Sequence, residues 1–178
     1  MEDEYEKVDC GWSDALMMLP PAPVFLLGVG GDEEMDVTTI GMFNVFSLFP
    51  IILGVGVTTS RYTYRLLRQN EGFTLNVPGH ELLEAVKTCG ERSGKDTAKF
   101  EECGLTPAPG KRVRAPKVRE CLLNLEVKRT DQKRIGDHEW FLGEIAHADH
   151  VIGYDPADAL VYWGGEFRAV GAVLDSLV

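Results

Sequence analysis

The chain has 178 residues, 28 acidic against 18 basic side chains, a formal net charge of -10 and 44% hydrophobic residues. That acid surplus argues against a nucleic-acid partner, which needs Lys and Arg to displace counterions from phosphates, and leaves room only for a local anion site. The hydrophobic share is that of a globular protein with one sizeable core, so the reading is one domain with an appended arm.

Residues 1–22 mix charge, Trp12 and a Pro pair, and read as an arm that docks on a body or a partner. Val24 to Leu27 is a short β-branched and aromatic run, Gly28 to Glu34 reads as a turn, and Asp36 to Ile40 returns as a second strand of a hairpin. The apolar stretch Gly41 to Val57 is broken by Asn44, Ser47 and Pro50 and is shorter than the about 20 residues of a bilayer span, so it predicts two buried strands separated by a turn. After the strand Pro50–Val57 a helix is expected, with Ser60 as its cap, Thr63 at its third position and Tyr64, Leu66 and Leu67 on its apolar face.

Phe73 to Val77 reads as a strand stopped by Pro78 and Gly79, and Glu81 to Cys89 as a helix with Leu82, Leu83 and Val86 in one stripe. Asp96 is placed as the cap of a short helix ending before Gly104. Thr106 to Pro116 is a basic, Pro-rich loop. In Val118 to Lys128 the set Cys121, Leu123, Leu125 and Val127 reads as the core face, against the mixed set Leu122, Asn124, Glu126 and Lys128. Thr130 to Asp137 is predicted as a turn into Glu139–Ala148, and Gly164-Gly165 joins Leu160–Trp163 to Phe167–Val170 as a hairpin. Six to eight strands with one or two helical excursions and hairpin-length links predict a mainly β protein with attached helices, an antiparallel barrel, and not a doubly wound sheet.

Gly28-Val29-Gly30-Gly31 is rejected as a dinucleotide fingerprint, because no helix follows and Asp32, Glu33 and Glu34 would repel a pyrophosphate. At the junction of Thr58, Thr59, Ser60, Arg61, Tyr62 and Thr63, a helix N-terminus, short hydroxyls and a guanidinium converge where a phosphate monoester fits; a capped helix with a surface Arg is the equal alternative. His147 and His150, three apart on a strand, point to opposite faces, so no metal pair is expected. The four cysteines are scattered, with no metal-site or disulfide spacing. Cys89 reads as a buried, inert thiol without a resolving partner near it in sequence. Lys111, Arg112, Arg114, Lys117 and Arg119 suit a nucleotide phosphate, an acidic protein partner or simply solvent. The acidic N-terminus does not read as an export signal, and a cytoplasmic, non-membrane protein is expected.

In order, the segments DVTTIGMFNVFS at 36–47, SRYTY at 60–64, FTLNVP at 73–78, CGERSGKDTAKF at 89–100 and GDHEWFLGE at 136–144 resemble the flavin-reductase-like, FMN-binding split-barrel family, particularly its flavoredoxin group. The resemblance implies an antiparallel split β-barrel over residues 23–178 that forms a homodimer and holds FMN near the dimer interface. It implies that Thr63, with Thr58, Ser60 and Arg61, binds the phosphate region and that Lys99 is a further flavin contact. Thr39, Ile40 and Gly41 match the segment whose backbone lines the ring. His138 matches a His beside the ring or the hydride donor, the catalytic candidate, and Phe167 matches a covering aromatic. Asp36 stands where the family has Asn, and Met42 where an aromatic stacks. The implied function is an FMN oxidoreductase taking electrons from NADH, NADPH or a redox protein; the alternative is a non-catalytic split-barrel module that binds flavin or another ligand.

Overall fold

The protein is described here from a computed structural model that covers residues 5–175. A short helix α1 (Trp12–Met17), with no buried residue, precedes the strands β1 (Ala22–Pro23), β2 (Phe25–Gly30), β3 (Met35–Ile40), β4 (Phe43–Leu48) and β5 (Ile51–Thr58). Helix α2 (Tyr62–Gln69), strand β6 (Gly72–Val77), a 3-10 turn at His80–Leu82, helix α3 (Leu83–Glu91) and the one-turn α4 (Lys99–Glu102) follow. Next come β7 (Pro107–Ala108), β8 (Lys117–Val118), and the two 13-residue strands β9 (Leu123–Ile135) and β10 (His138–His150); β11 (Leu160–Trp163) and β12 (Glu166–Ala169) follow as the last strands among the described residues.

Seven strands form one antiparallel sheet in the order β3-β2-β6-β9-β10-β5-β4. β3 and β4 stand at opposite ends of that order yet are joined by only Gly41 and Met42. A link that short spans about 10 Å at most, so the sheet must curl until its two edges nearly meet. Gly56 N–H donates to Met42 O at 2.8 Å at the seam, while β3 and β4 themselves do not pair. The result is a mainly β protein with attached helices whose barrel is split between β3 and β4. β1, β11 and β12 form a separate three-stranded sheet, and β7 pairs with β8.

β2 is buried along its whole length because both of its faces are covered. Phe25, Leu27 and Val29 point into the barrel with Val55, Leu66, Leu67, Phe73, Leu75, Val127 and Phe141. Leu26 and its neighbour Val24 point outward into a second core with Val37, Val86, Cys89, Phe100, Val118 and Cys121. Each such fully buried large side chain contributes roughly 1.5–3 kcal/mol, so α3 and α4 are held on by the outer core and not by their own length.

Several expectations are corrected. Gly28 and Gly30 lie inside β2 and the turn is confined to 31–34; a side chain at Gly28 would strike Thr74 Oγ1 and the Pro116 carbonyl. β4 was predicted as a buried strand, but most of its residues are exposed, because it is the outer edge of the sheet. α2 starts one residue later than expected: Arg61 holds the cap position, Ser60 does not cap, and Thr63 is the second helical residue. Asp96 caps nothing; Ala98 precedes α4. β9 extends through the predicted turn to Ile135. Val127 is buried in the barrel core and Leu125 packs against it, as expected of that face, but the mixed face is buried too, with Asn124 8% and Glu126 0% exposed. The reason is the loop 110–118, which covers that face and satisfies its polar groups: Asn124 Nδ2 donates to Val118 O at 2.9 Å, and Glu126 accepts backbone N–H bonds from Lys111, Arg112 and Val113.

Candidate functional site

The seam of the barrel is also where a cleft opens. Its volume is about 170 Å3, and it is lined by Thr38 to Met42 at the end of β3, by Gly56, Val57 and Thr58 at the end of β5, by Arg61 at the start of α2 and by His138 at the start of β10. Seven residues picked out in the sequence, Thr39, Ile40, Gly41, Met42, Thr58, Arg61 and His138, thus meet at one place from four different elements. Ser60 lies beside them, its hydroxyl 3.4 Å from that of Thr58. His138 Nδ1 is 2.8 Å from Asp137 Oδ1. That hydrogen bond holds the Asp137 carboxyl below its ordinary range and leaves Nε2 as the ring atom available to a ligand.

Behind the cleft wall, Asp36, Thr63 and Lys99 form a buried network. Thr63 Oγ1 donates to Asp36 Oδ2 at 2.7 Å, and Lys99 Nζ lies 3.0 Å from Asp36 Oδ1, with both charged side chains at most 2% exposed. Asp36, unexplained by the sequence, is the counterion of Lys99. Neither Thr63 nor Lys99 lines the cleft; both lie behind its wall. Lys99 Nζ also donates to Cys89 O at 3.4 Å, Thr38 Oγ1 to the same carbonyl at 3.1 Å, Thr39 Oγ1 to Val86 O at 2.5 Å, and Arg61 Nη1 to Gly90 O at 3.1 Å. The Cys89 and Gly90 carbonyls lie in α3's last turn, where a carbonyl has no partner within the helix, and are taken by residues of the cleft and its floor.

Residues 17–171 match the flavin reductase like domain, nearly the whole chain. The chain belongs to the flavin reductase-like family. A protein of Archaeoglobus fulgidus is 37% identical over 76% of each chain. Among solved structures, the flavoredoxin from Methanosarcina acetivorans superposes with a TM-score of 0.86 at 26% identity, covering 97% of this chain and 96% of that one. An FMN-binding protein from Thermus thermophilus has the same fold, with a TM-score of 0.79 at 20% identity and coverage of 95% and 96%.

Within this flavin reductase-like domain the residues of the cleft suit one side of a flavin by their chemistry. Ile40, Met42 and Val57 give an apolar wall and Thr58, Ser60 and Arg61 give donors at one end. Gly56 keeps the wall low, since a Cβ there would come within 3.2 Å of Met42 Cβ and 3.3 Å of the Trp140 ring. Phe167 is placed elsewhere: it packs on the outer core, edge-on to Tyr162 with ring centres 5.2 Å apart. Sequence reasoning missed Thr38 and the α3 carbonyls; the doubled Thr of DVTT was the available signal for the first, and nothing local announces the second.

Other cavities are larger than the cleft, and two of them, of about 480 and 540 Å3, flank the basic loop. They are lined by Arg112, Arg114 and Lys128 in the first and Lys111, Arg112 and Arg114 in the second, with Glu71 and Asp32 among them, and none of the site residues expected from the sequence reaches either. His147 Nε2 is 3.3 Å from Asp149 Oδ2 but makes no hydrogen bond with it. Glu126, His147 and Asp149 bring their ligand atoms within 4.8 Å of one another. The Lys117 ammonium, 2.5 Å from Asp149 and 3.9 Å from Glu126, supplies the positive charge at that spot.

Proposed function

We propose that this chain binds FMN in the seam cleft and works as an oxidoreductase, passing electrons from NADH, NADPH or a redox protein to an acceptor. The observation that carries this is the meeting of an apolar wall with three phosphate-type donors in one cleft of a flavin reductase-like fold. That the Methanosarcina neighbour is a flavoredoxin and the Thermus neighbour an FMN-binding protein favours the same cofactor here. Bound FMN supplies the hydride or electron chemistry, and the protein's part is to bind, orient and tune it.

Arg61 is suited to the phosphate. One guanidinium nitrogen is fixed on Gly90 O, which leaves the others in a defined plane for bidentate donation. The start of α2 adds free backbone N–H groups and the positive end of the helix dipole. Asp36 does not set a bare carboxylate against the ligand, because Lys99 neutralises it below the surface. His138 lines the cleft with Nδ1 held on Asp137, which leaves Nε2 to donate or accept a hydrogen bond there.

The working unit is a homodimer. At about 170 Å3 the cleft is smaller than the roughly 300–1,000 Å3 of ordinary small-molecule sites, so a second surface is needed to enclose a flavin. Beside it β4 and the following turn expose Val45, Phe46, Leu48, Phe49 and Ile51, the kind of contiguous apolar face that another chain covers.

Visible absorption of the purified protein, before and after FMN and then NADH or NADPH, tests the reading. Quenched and shifted FMN absorption that bleaches with the nucleotide is expected. Absence of any FMN binding by absorption, fluorescence and thermal shift would overturn it.

A further inference from the structure

Cys89 and Cys103 are fourteen residues apart in sequence, but the fold sets their sulfurs 3.8 Å apart. Cys89 is fully buried on α3; Cys103, just after α4, is half-buried and reachable from solvent. From this geometry we infer that the two thiols close into a reversible disulfide that works on the wall of the cleft. A disulfide needs sulfurs about 2 Å apart, so closure asks for a shift of less than 2 Å between α3 and the end of α4.

Burial and the neighbouring thiol raise the Cys89 thiol far above its ordinary value, which makes Cys103 the attacking group. With a hydroperoxide as oxidant, the Cys103 thiolate attacks one peroxide oxygen; the O–O bond breaks, giving a sulfenic acid and, for hydrogen peroxide, water. Cys89 sulfur then attacks Cys103 sulfur, the S–O bond breaks and a second water leaves with the thiol proton. The two thiols lose two electrons and the peroxide gains them. A small-molecule dithiol reverses the reaction by exchange.

The link to the cleft runs through the backbone. Cys89 O receives both Thr38 Oγ1 and Lys99 Nζ, and the next carbonyl, Gly90 O, holds Arg61. Lys99 begins the same short helix whose end carries Cys103, Cys103 N–H bonding to Lys99 O at 3.0 Å. Drawing the sulfurs together therefore moves the acceptor of Thr38 against the donor that neutralises Asp36, and loosens the wall from both sides.

The test uses the full chain with the exposed Cys10 changed to Ser, so that it cannot cross-link molecules. Hydrogen peroxide should remove two of the three remaining thiols, peptide mass mapping should find a Cys89–Cys103 link, and dithiothreitol should restore both thiols. Amide hydrogen exchange across 38–42 should change at least threefold on oxidation, and the FMN dissociation constant should rise at least threefold. Adding Cys103→Ala should abolish all of these changes. Three free thiols after peroxide, over-oxidation of Cys103 without a link, or a link that leaves exchange across 38–42 unchanged would each overturn the inference. Its ligand part rests on the flavin reading; if neither redox form binds FMN, that reading fails by itself and hydrogen exchange still decides this one.

Discussion

A carboxylate facing an ammonium out of reach of water is stable only while both are present. Lys99→Met leaves Asp36 buried and unpaired, and urea denaturation should show a loss of about 3–5 kcal/mol; Asp36→Asn combined with Lys99→Met should recover much of it, because the pair is removed whole. Thr63 and Arg61 now separate by mechanism. Arg61→Ala should weaken FMN on the order of tenfold while leaving riboflavin within about twofold, since the guanidinium serves the phosphate. Thr63→Ala removes a hydrogen bond to a charged group and should cost about 1.5–3 kcal/mol of stability, weakening FMN and riboflavin alike. Fluorescence titrations of both ligands distinguish the two outcomes. A Thr63→Ala protein that loses only FMN would place that hydroxyl on the phosphate and not on Asp36.

Among the elements, β9 and the loop that covers it show where local pattern stops informing. Strand periodicity was legible over 123–128, though 119–122 turn where the strand was expected to begin, and so was the hairpin around Gly164-Gly165, because both are written in side chains a few residues apart. That the mixed face of β9 is buried as well was not, since loop 110–118 closes over Asn124 and Glu126 from elsewhere in the sequence. The same limit hid the partner of Asp36: its ammonium arrives from sixty residues away, whereas the cleft residues of β3, β5 and α2 were legible as contiguous motifs. Burial raises the Glu126 carboxyl, but the N–H groups of Lys111, Arg112 and Val113 and the nearby Lys117 outweigh it, so the folded value lies below the ordinary 4.5. A depressed carboxylate stabilises the fold above its unfolded value and loses that contribution as pH falls through the folded one. The acid limb of the stability curve below about pH 4.5 should therefore flatten in Glu126→Gln, which at pH 7 should be about 2–4 kcal/mol less stable because an amide nitrogen then faces N–H donors. Denaturation midpoints between pH 3 and 7 check both parts.

For the whole molecule, the apolar edge at β4 and the small cleft point to one event. Phe49 is 98% exposed and supports nothing within its own chain, so Phe49→Glu should leave circular dichroism unchanged, shift light scattering from dimer to monomer and weaken FMN at least tenfold. A dimer that persists with full affinity would place the interface on another face.

The two-residue link of Gly41 and Met42 sets a further condition on this architecture. Because it ties the first and last strands of one sheet, its length works as a gauge: one inserted residue both relaxes the closure of the barrel and slides the cleft wall relative to β5. Here the spacing between two strands and the width of a binding site are the same dimension, and the chain has no freedom to change one while keeping the other.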